Sequence, residues 1–298
     1  MVYLGLLVIT LVCKDRDTYF ELYNYIVEAN CYYDYTATPE AIFALDDFIT
    51  PLFKKYVYKP HKRLRYVDFN QGVDARLIFK YPERLKKLSE INIRPLRIAF
   101  DSWDKKDIYA KAIRIAVDVG IKDLSNYLLY NSNESDDTPL NLFYRMQFNI
   151  ELCEELRVAI YSFPMKYHPI EEPDYFGNRY FIGKAWNRKY IRAVQAVLNS
   201  THGKIGKGKS FFEAAFGRNE IEFEKIMLMP EAFIIQRKKY GDNLTNEWWE
   251  KYNALNEDQR NQELKIILRN EFTEEIFSSE SQNVKDVLNY YFIKRDNS

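Results

Sequence analysis

The 298-residue chain carries 43 Lys plus Arg and 43 Asp plus Glu, so it has no net charge that would draw it to nucleic acid or to an anionic membrane. An apolar content of 47% and a charged content of 29% are typical of a globular protein with one large domain or two ordinary ones. Three scattered cysteines, Cys13, Cys31 and Cys153, exclude a disulfide framework, and we expect a reducing, cytoplasmic location.

The N-terminal part of the chain predicts a strand, two helices and a basic surface. Residues 2–13 are mostly apolar, too short to span a bilayer and without the basic start of a signal peptide, so we expect a buried strand; a misplaced or truncated start is the alternative. Residues 14–29 have helical spacing, and Thr38 with Pro39 begins a second helix. Six basic residues within 54–65 predict a solvated face, with nucleic-acid binding as the weaker alternative.

Four short apolar stretches, centred about 30 residues apart, predict parallel strands in chain order. They lie at 66–70, 96–101, 126–131 and 158–163. Helical patterns separate them at 82–91, 107–120 and 139–156. Parallel neighbours need such crossovers, which are right-handed. The predicted fold class is therefore α/β, a partial (β/α) TIM-like barrel with parallel strands.

The remaining sequence predicts helices only. An amphipathic helix is expected over 184–200, and helical patterns continue from 210 to 292. We therefore divide the chain into a partial barrel over 1–200 and an all-helical C-terminal extension over 201–298. Cys153 falls on the apolar stripe of the helix predicted at 139–156, which indicates a small core residue.

Polar residues follow the predicted strands, where loops build the site of parallel α/β folds. The candidate residues for binding a substrate or cofactor are Asp68, Asn70, Gln71, Asp74, Arg76, Asp101, Asn131, Ser162 and Lys166. Asp101 ends an otherwise apolar strand and is the best candidate to contact a ribose or substrate hydroxyl. Asp74 and Arg76 have a structural ion pair as their alternative role. No residue can be assigned a catalytic role from the sequence.

Two other motifs point to different chemistry. Residues 203–210 match the P-loop pattern of nucleotide-binding proteins, but the preceding 184–200 segment has helical rather than strand periodicity. We expect a flexible basic loop there, with a P-loop NTPase as the less favoured alternative. His61, His168 and His202 lack the spacing of zinc ligands, and no metal-ligating residues are predicted.

Five blocks of the chain resemble, in the same order, signature blocks of a group of bacterial and phage radical SAM proteins. They are 67–77 (VDFNQGVDARL), 93–101 (IRPLRIAFD), 124–131 (LSNYLLYN), 160–167 (IYSFPMKY) and 211–217 (FFEAAFG). The resemblance covers about residues 60–240. It implies a partial (β/α)6 barrel that binds S-adenosylmethionine and a [4Fe–4S] cluster and cleaves the former reductively to a 5′-deoxyadenosyl radical. The protein orients a cofactor that carries the difficult chemistry.

The chain departs from this family at the cluster. Three thiolates of a Cys-x3-Cys-x2-Cys loop hold the family's cluster, and here no two cysteines lie within five residues of each other. The family's Gly-Gly-Glu-like stretch, which meets the methionine amine, is also absent. We expect either the C-terminal part of a split or truncated protein, inactive without a separate N-terminal cluster-bearing polypeptide, or a diverged member. A non-enzymatic barrel that binds nucleic acid or a protein partner through 54–65 is the alternative, and no membrane partner is expected.

Overall fold

The computed structural model of the chain describes residues 66–70, 72–169, 180–206, 208–278 and 280–293. These residues belong to one unit, Tyr66–Ser298. The elements expected at 2–13, 14–29 and 38–50, the basic segment 54–65 and the candidate Gln71 lie outside the described residues.

A three-stranded parallel sheet organises residues 66–206. Its strands are β1 (Leu96–Arg97), β2 (Asp123–Tyr130) and β3 (Ala159–Lys166), in the spatial order β1-β2-β3. In the register, Leu124 of β2 lies opposite Leu96 and Ile160. The mixed α/β class and the parallel order of these three predicted strands are confirmed.

Helices connect the strands, and the named elements described after residue 206 are all helical. The structure places α1 at Ala75–Lys80, α2 at Pro82–Leu88, α3 at Lys106–Asp118, α4 at Pro139–Leu156, α5 at Arg188–Ser200, α6 at Lys209–Phe216, α7 at Glu220–Leu228, α8 at Glu231–Ile235, α9 at Arg237–Ala254, α10 at Glu257–Arg269, α11 at Glu274–Ser278 and α12 at Gln282–Leu288. Two 3₁₀ turns occupy Trp103–Lys105 and Asn289–Phe292. Within the described residues, no helix combines the length and apolar character needed to cross a membrane.

The limits of α4 follow from local chemistry. Thr138 is the N-cap, its hydroxyl accepts a hydrogen bond from Asn141 N, and Pro139 occupies the first turn. The helix ends at Arg157, which adopts a left-handed conformation with φ of 53°. These signals lie within the sequence itself, which is why the predicted span of 139–156 is confirmed.

The predicted first strand, 66–70, is not a strand in the structure. Val67 and Val73 instead form isolated parallel bridges to Ile93 and Ile98. Between them Asn70 has a positive φ of 52° and donates its backbone N–H to Asp68 Oδ1. Because this side-chain turn competes with extended pairing, the chain turns away from the ladder after Val67 and meets it again at Val73.

One face of the sheet packs against α3 and α4 through an apolar layer that includes a buried polar chain. Tyr109 of α3 donates its hydroxyl hydrogen to Asn149 Oδ1 at 2.8 Å and accepts a hydrogen bond from Asn126 Nδ2 at 2.7 Å. Asn149 of α4 donates in turn to Ser162 Oγ at 2.8 Å. Buried polar groups need such partners, so the chain sets how both helices lie on the sheet.

We predict that Tyr109→Phe lowers the free energy of unfolding by about 1–3 kcal/mol, because it removes the hydrogen-bond partner of the buried Asn126 Nδ2 and Asn149 Oδ1 atoms. Urea unfolding measures the change. The matched control is Tyr180→Phe. Tyr180 is 79% exposed, so this substitution should change the free energy of unfolding by less than about 0.5 kcal/mol. Equal effects of the two substitutions would show that the polar chain contributes no stability.

Candidate functional site

Arg145 of α4 joins the segment that follows β1 to the carboxyl end of β2. Its side chain is 1% exposed and donates to the carbonyl oxygens of Phe100 and Asp101 at 3.1 and 3.0 Å and to that of Leu129 at 2.9 Å. These carbonyls lie where the strands end and their ladder stops, so they need donors from elsewhere. The guanidinium therefore fixes the position of Asp101 relative to β2.

A carboxylate partner accompanies Arg145 in the loop after β2. The Asp137 carboxylate is 5% exposed, lies 3.7 Å from the guanidinium and accepts a hydrogen bond from Ser132 N. Its backbone carbonyl accepts a hydrogen bond from Trp186 Nε1 at 2.8 Å. The loop after β2 is thus fastened both to α4 and to the segment that precedes α5.

Asn131, which follows β2 directly, holds residues 181–183 against the sheet. Its buried side-chain amide donates to the carbonyls of Tyr167 and Phe181, and its Oδ1 accepts from Gly183 N at 2.9 Å. A Cβ on Gly183 would lie 2.0 Å from the Ser132 carbonyl oxygen, so only glycine allows this approach. Asn131 is placed at a strand end as predicted, and its polar atoms are all used within the protein.

Asp74, Arg76 and Asp101 come together at the same end of the sheet. Asp74 caps α1 by accepting from Arg76 N at 2.8 Å and also pairs with the Arg76 guanidinium at 2.5 Å. Burial raises the pKa of Asp101, opposed by the charges of Arg145 and Lys105, while the Asp74 carboxylate acts in the same direction as burial. Of these three candidates, Asp101 is the carboxylate left without an arginine partner at hydrogen-bonding distance within the described residues.

The sheet face opposite α3 and α4, here called the open face, carries alternate residues of all three strands. They include Arg97, Ser125, Tyr127, Leu129, Tyr161, Phe163 and Met165. Leu129 and Met165, neighbours across β2 and β3, are 37% and 47% exposed. An apolar surface beside strand ends suits the flat, uncharged part of a ligand.

Asp68 and Asn70 lie over the open face. Asp68 accepts two hydrogen bonds from the Arg97 guanidinium at 2.9 and 2.7 Å, and these bonds hold its pKa below the ordinary value. Asn70 accepts from the Tyr127 hydroxyl at 2.9 Å. Arg97 also lies 5.2 Å from the Tyr127 ring centroid and 5.6 Å from that of Phe163. Asp68 and Asn70 therefore order the open face around Arg97.

The last two candidates lie on β3 but not together. Lys166 is the final residue of the strand, and burial lowers its pKa. Ser162 lies four residues earlier, in the middle of β3 rather than at its end, and its hydroxyl belongs to the buried chain facing α4. β3 extends beyond Ser162 because Pro164 still lies opposite Leu128 in the register.

Four residues of this site were not predicted from the sequence: Arg97, Arg145, Tyr127 and Lys105. Arg97 had a signal, because residues 96, 98 and 100 are apolar and alternate with 97, 99 and 101, which places Arg97 on the less apolar face. Arg145 follows Leu142 by three residues on an otherwise apolar helix side, which is a weaker signal. Tyr127 and Lys105 had no pattern that distinguishes them from ordinary strand and helix-entry residues.

The P-loop match lies in a different context from that of nucleotide-binding loops. Helix α5 precedes it, Ile205 forms an antiparallel bridge to Ser162, and α6 begins at Lys209. A nucleotide-binding P-loop joins a strand to the N-terminus of a helix. Here the segment pairs with the outer edge of β3 instead.

Cys153 lies in the core, as predicted. It is 7% exposed, and its Sγ accepts a hydrogen bond from Ile160 N at 3.3 Å. In the described part of the chain no three His, Cys, Asp or Glu side chains form a group able to hold a metal ion. Cys13, Cys31 and His61 lie outside that part.

Searches for similar proteins found no matching family model, no matching curated protein and no matching solved structure.

We predict that Arg145→Met lowers the free energy of unfolding by about 3–5 kcal/mol. The substitution leaves the buried Asp137 carboxylate without its cation and three backbone carbonyls without their donor. Chemical denaturation measures the loss. Arg188→Met is the control, since Arg188 pairs with Glu271 at 2.9 Å on the surface, and it should cost less than about 1 kcal/mol. Similar losses in both variants would contradict a central role for Arg145.

Proposed function

We propose that residues 66–206 form the later strand–helix units of a radical SAM barrel, which bind S-adenosylmethionine and a substrate for radical chemistry while the cluster is held by a separate N-terminal polypeptide. The observation that carries the proposal is the convergence of three strand ends. Asp101, Asn131 and Lys166 follow or end consecutive parallel strands of one sheet. In parallel α/β folds the ligand lies at this end of the strands.

The two sheet faces also support the proposal. In a barrel the outer face is covered by helices and the inner face meets the ligand. Here α3 and α4 cover one face, while the open face carries Arg97, Tyr127 and the partly exposed pair Leu129 and Met165. The resemblance of five sequence blocks to radical SAM proteins is independent of this geometry.

The side chains at the strand ends fit the chemical groups of S-adenosylmethionine. The ribose hydroxyls and the ammonium group of S-adenosylmethionine donate hydrogen bonds, and the Asp101 carboxylate supplies an acceptor for them. Its own carboxylate suits the lysine ammoniums of Lys105 and Lys166, and the adenine suits the apolar surface of Leu129 and Met165. When bound beside a reduced cluster, the cofactor supplies a 5′-deoxyadenosyl radical. The chain's residues bind and orient it.

The described residues do not fit the cluster. Three neighbouring thiolates are needed to hold its corners, and Cys153 is buried in the core beside Ile160. We therefore assign no step of the reaction to a cluster held by these residues. A partner bearing the Cys-x3-Cys-x2-Cys loop would provide it.

We predict saturable one-to-one binding of S-adenosylmethionine, measured by isothermal titration calorimetry, that weakens about tenfold in Asp101→Asn. Loss of one charge-assisted hydrogen bond has this magnitude. The control is Asp118→Asn, at the exposed end of α3, which should leave the dissociation constant unchanged. Absence of binding by the folded wild type, or equal affinity of Asp101→Asn and wild type, would overturn the assignment of this site.

We further predict that the chain alone, reconstituted anaerobically with iron and sulfide, holds no stoichiometric [4Fe–4S] cluster and does not cleave S-adenosylmethionine under a strong reductant. The reason is the number of ligands, because no short loop of this chain carries three cysteines. Iron and sulfide content and chromatography of 5′-deoxyadenosine measure the two outcomes.

Two further results separate the alternatives. Formation of 5′-deoxyadenosine only after addition of a polypeptide bearing the cysteine loop supports the split protein. Formation by the chain alone, reduced in Cys13→Ala or Cys31→Ala, would show that distant cysteines hold a cluster and that the chain is a complete enzyme.

A further inference from the structure

The packing of the C-terminal helices on α5 buries two ionisable side chains around Tyr291. Lys189 of α5 is 1% exposed, and its Nζ lies 5.6 Å from the centroid of the Tyr291 ring. Glu263 of α10 is 0% exposed, and its charge acts on Tyr291 from the other helix. Tyr291 itself donates its hydroxyl hydrogen to the Leu228 carbonyl at 2.7 Å. We call Lys189, Glu263 and Tyr291 the buried-charge interface.

Glu263 has no hydrogen-bonded cation among the described residues. Both of its carboxylate oxygens are buried without a hydrogen-bond partner among the described residues, and so is Oε2 of Glu280. The titratable groups that face it are Glu280, Tyr252 and Tyr291, which are acids. Burial raises the pKa of Glu263 to about 8, and the Glu280 charge adds to the shift.

Three arginines of the packed helices α5 and α10 donate hydrogen bonds to other groups. On α5, Arg188 donates to Glu271 at 2.9 Å and Arg192 donates to Glu231 at 2.6 Å. On α10, Arg260 donates to the Asn253 and Leu255 carbonyls at 2.7 and 3.1 Å. None of these hydrogen bonds is made to Glu263. A charged Glu263 would therefore lack a hydrogen-bonded cation among the described residues.

Lys189 is buried with one polar contact. Its Nζ donates to the Met229 carbonyl oxygen. Burial lowers its pKa to about 7, the Glu231 carboxylate opposes this shift, and the Arg192 guanidinium adds to it. Because Glu231 already accepts two hydrogen bonds from Arg192 Nη2, it does not neutralise Lys189 directly.

Separation of the C-terminal helices from α5 would return both side chains to water. Glu263 would then have its ordinary pKa of 4.5 and Lys189 its ordinary pKa of 10.5. For Glu263, the packed state holds a proton that the separated state loses, so packing weakens as pH rises from 4.5 to about 8. For Lys189, the separated state holds a proton that the packed state loses, so packing strengthens as pH rises from about 7 to 10.5. The two windows overlap, and packing is weakest in the overlap, from about pH 7 to about pH 8.

We propose that the buried-charge interface is a pH-sensitive device, in which the C-terminal helices are held least firmly on α5 near neutral pH and more firmly on either side of it. The geometry that carries this proposal is the placement of a buried acid and a buried base on the two sides of one helix–helix contact, where neither has an ion-pair partner among the described residues. Such groups oppose packing whenever separation would let them ionise. The device acts on the C-terminal helices and is independent of the strand-end site.

Amide hydrogen exchange in α10 of the full chain tests the proposal. At each pH the opening constant is obtained after correction for intrinsic exchange, for wild type, Glu263→Gln and Lys189→Met. The wild-type constant should rise roughly tenfold per pH unit from about pH 5.5 to 7 and fall at a similar rate above about pH 8. In Glu263→Gln the opening constant should no longer rise below pH 7 but should still fall above pH 8. In Lys189→Met it should still rise below pH 7 but should no longer fall above pH 8. Glu250→Gln, on the exposed side of α9, should keep both.

Two outcomes overturn the proposal: a wild-type opening constant that does not change with pH, and a Glu263→Gln profile that still rises below pH 7. If Lys189→Met does not fold, the fall above neutral pH is measured in Glu263→Gln, where Lys189 titrates alone. Absence of that fall would remove Lys189 from the device.

Discussion

The ion pair between Arg145 and Asp137, together with the carbonyls that surround the guanidinium, is the constraint on which the strand-end site depends. Parallel strands leave carbonyl groups unpaired where they stop, and here one buried arginine supplies donors to two strands at once. The Asp137 carboxylate in turn accepts a hydrogen bond from the Ser132 backbone amide, and the Asp137 backbone carbonyl accepts one from Trp186. A single charged group thus links α4, two strand ends and the segment before α5.

The two faces of the sheet have different physical roles. The face against α3 and α4 is closed, and hydrogen bonds link Tyr109, Asn126, Asn149 and Ser162 across it. The open face uses ion pairs and rings around Arg97, and its end near Leu129 and Met165 remains accessible. Rigid support on one side and accessible surface on the other is the arrangement that a ligand site requires.

The C-terminal helices differ in character from the sheet region. Aromatic rings dominate their contacts, for example Trp248 with Tyr291 at 6.4 Å between centroids and Phe272 with Tyr291 at 4.7 Å. Lys189 and Glu263 interrupt this apolar packing: Lys189 donates to the Met229 carbonyl, and both Glu263 oxygens lack a hydrogen-bond partner among the described residues. Perturbed ionisable groups cluster at functional positions more often than elsewhere, and these two lie apart from the strand ends.

The sequence by itself determined the strand–helix alternation, the limits of α4 and the parallel order of β1 to β3, because periodicity, caps and crossover length are local properties. It also placed Asn131 and Lys166 at strand ends, whereas the strand predicted at 96–101 ends at Arg97 and Asp101 lies four residues beyond it. Only the tertiary structure decided that Ser162 faces α4 and that the Asn131 amide hydrogen-bonds to residues 181–183. It also decided that Arg97 and Arg145 organise the site. These roles depend on partners 13 to 52 residues distant in the chain, and a distant partner leaves no mark in local spacing.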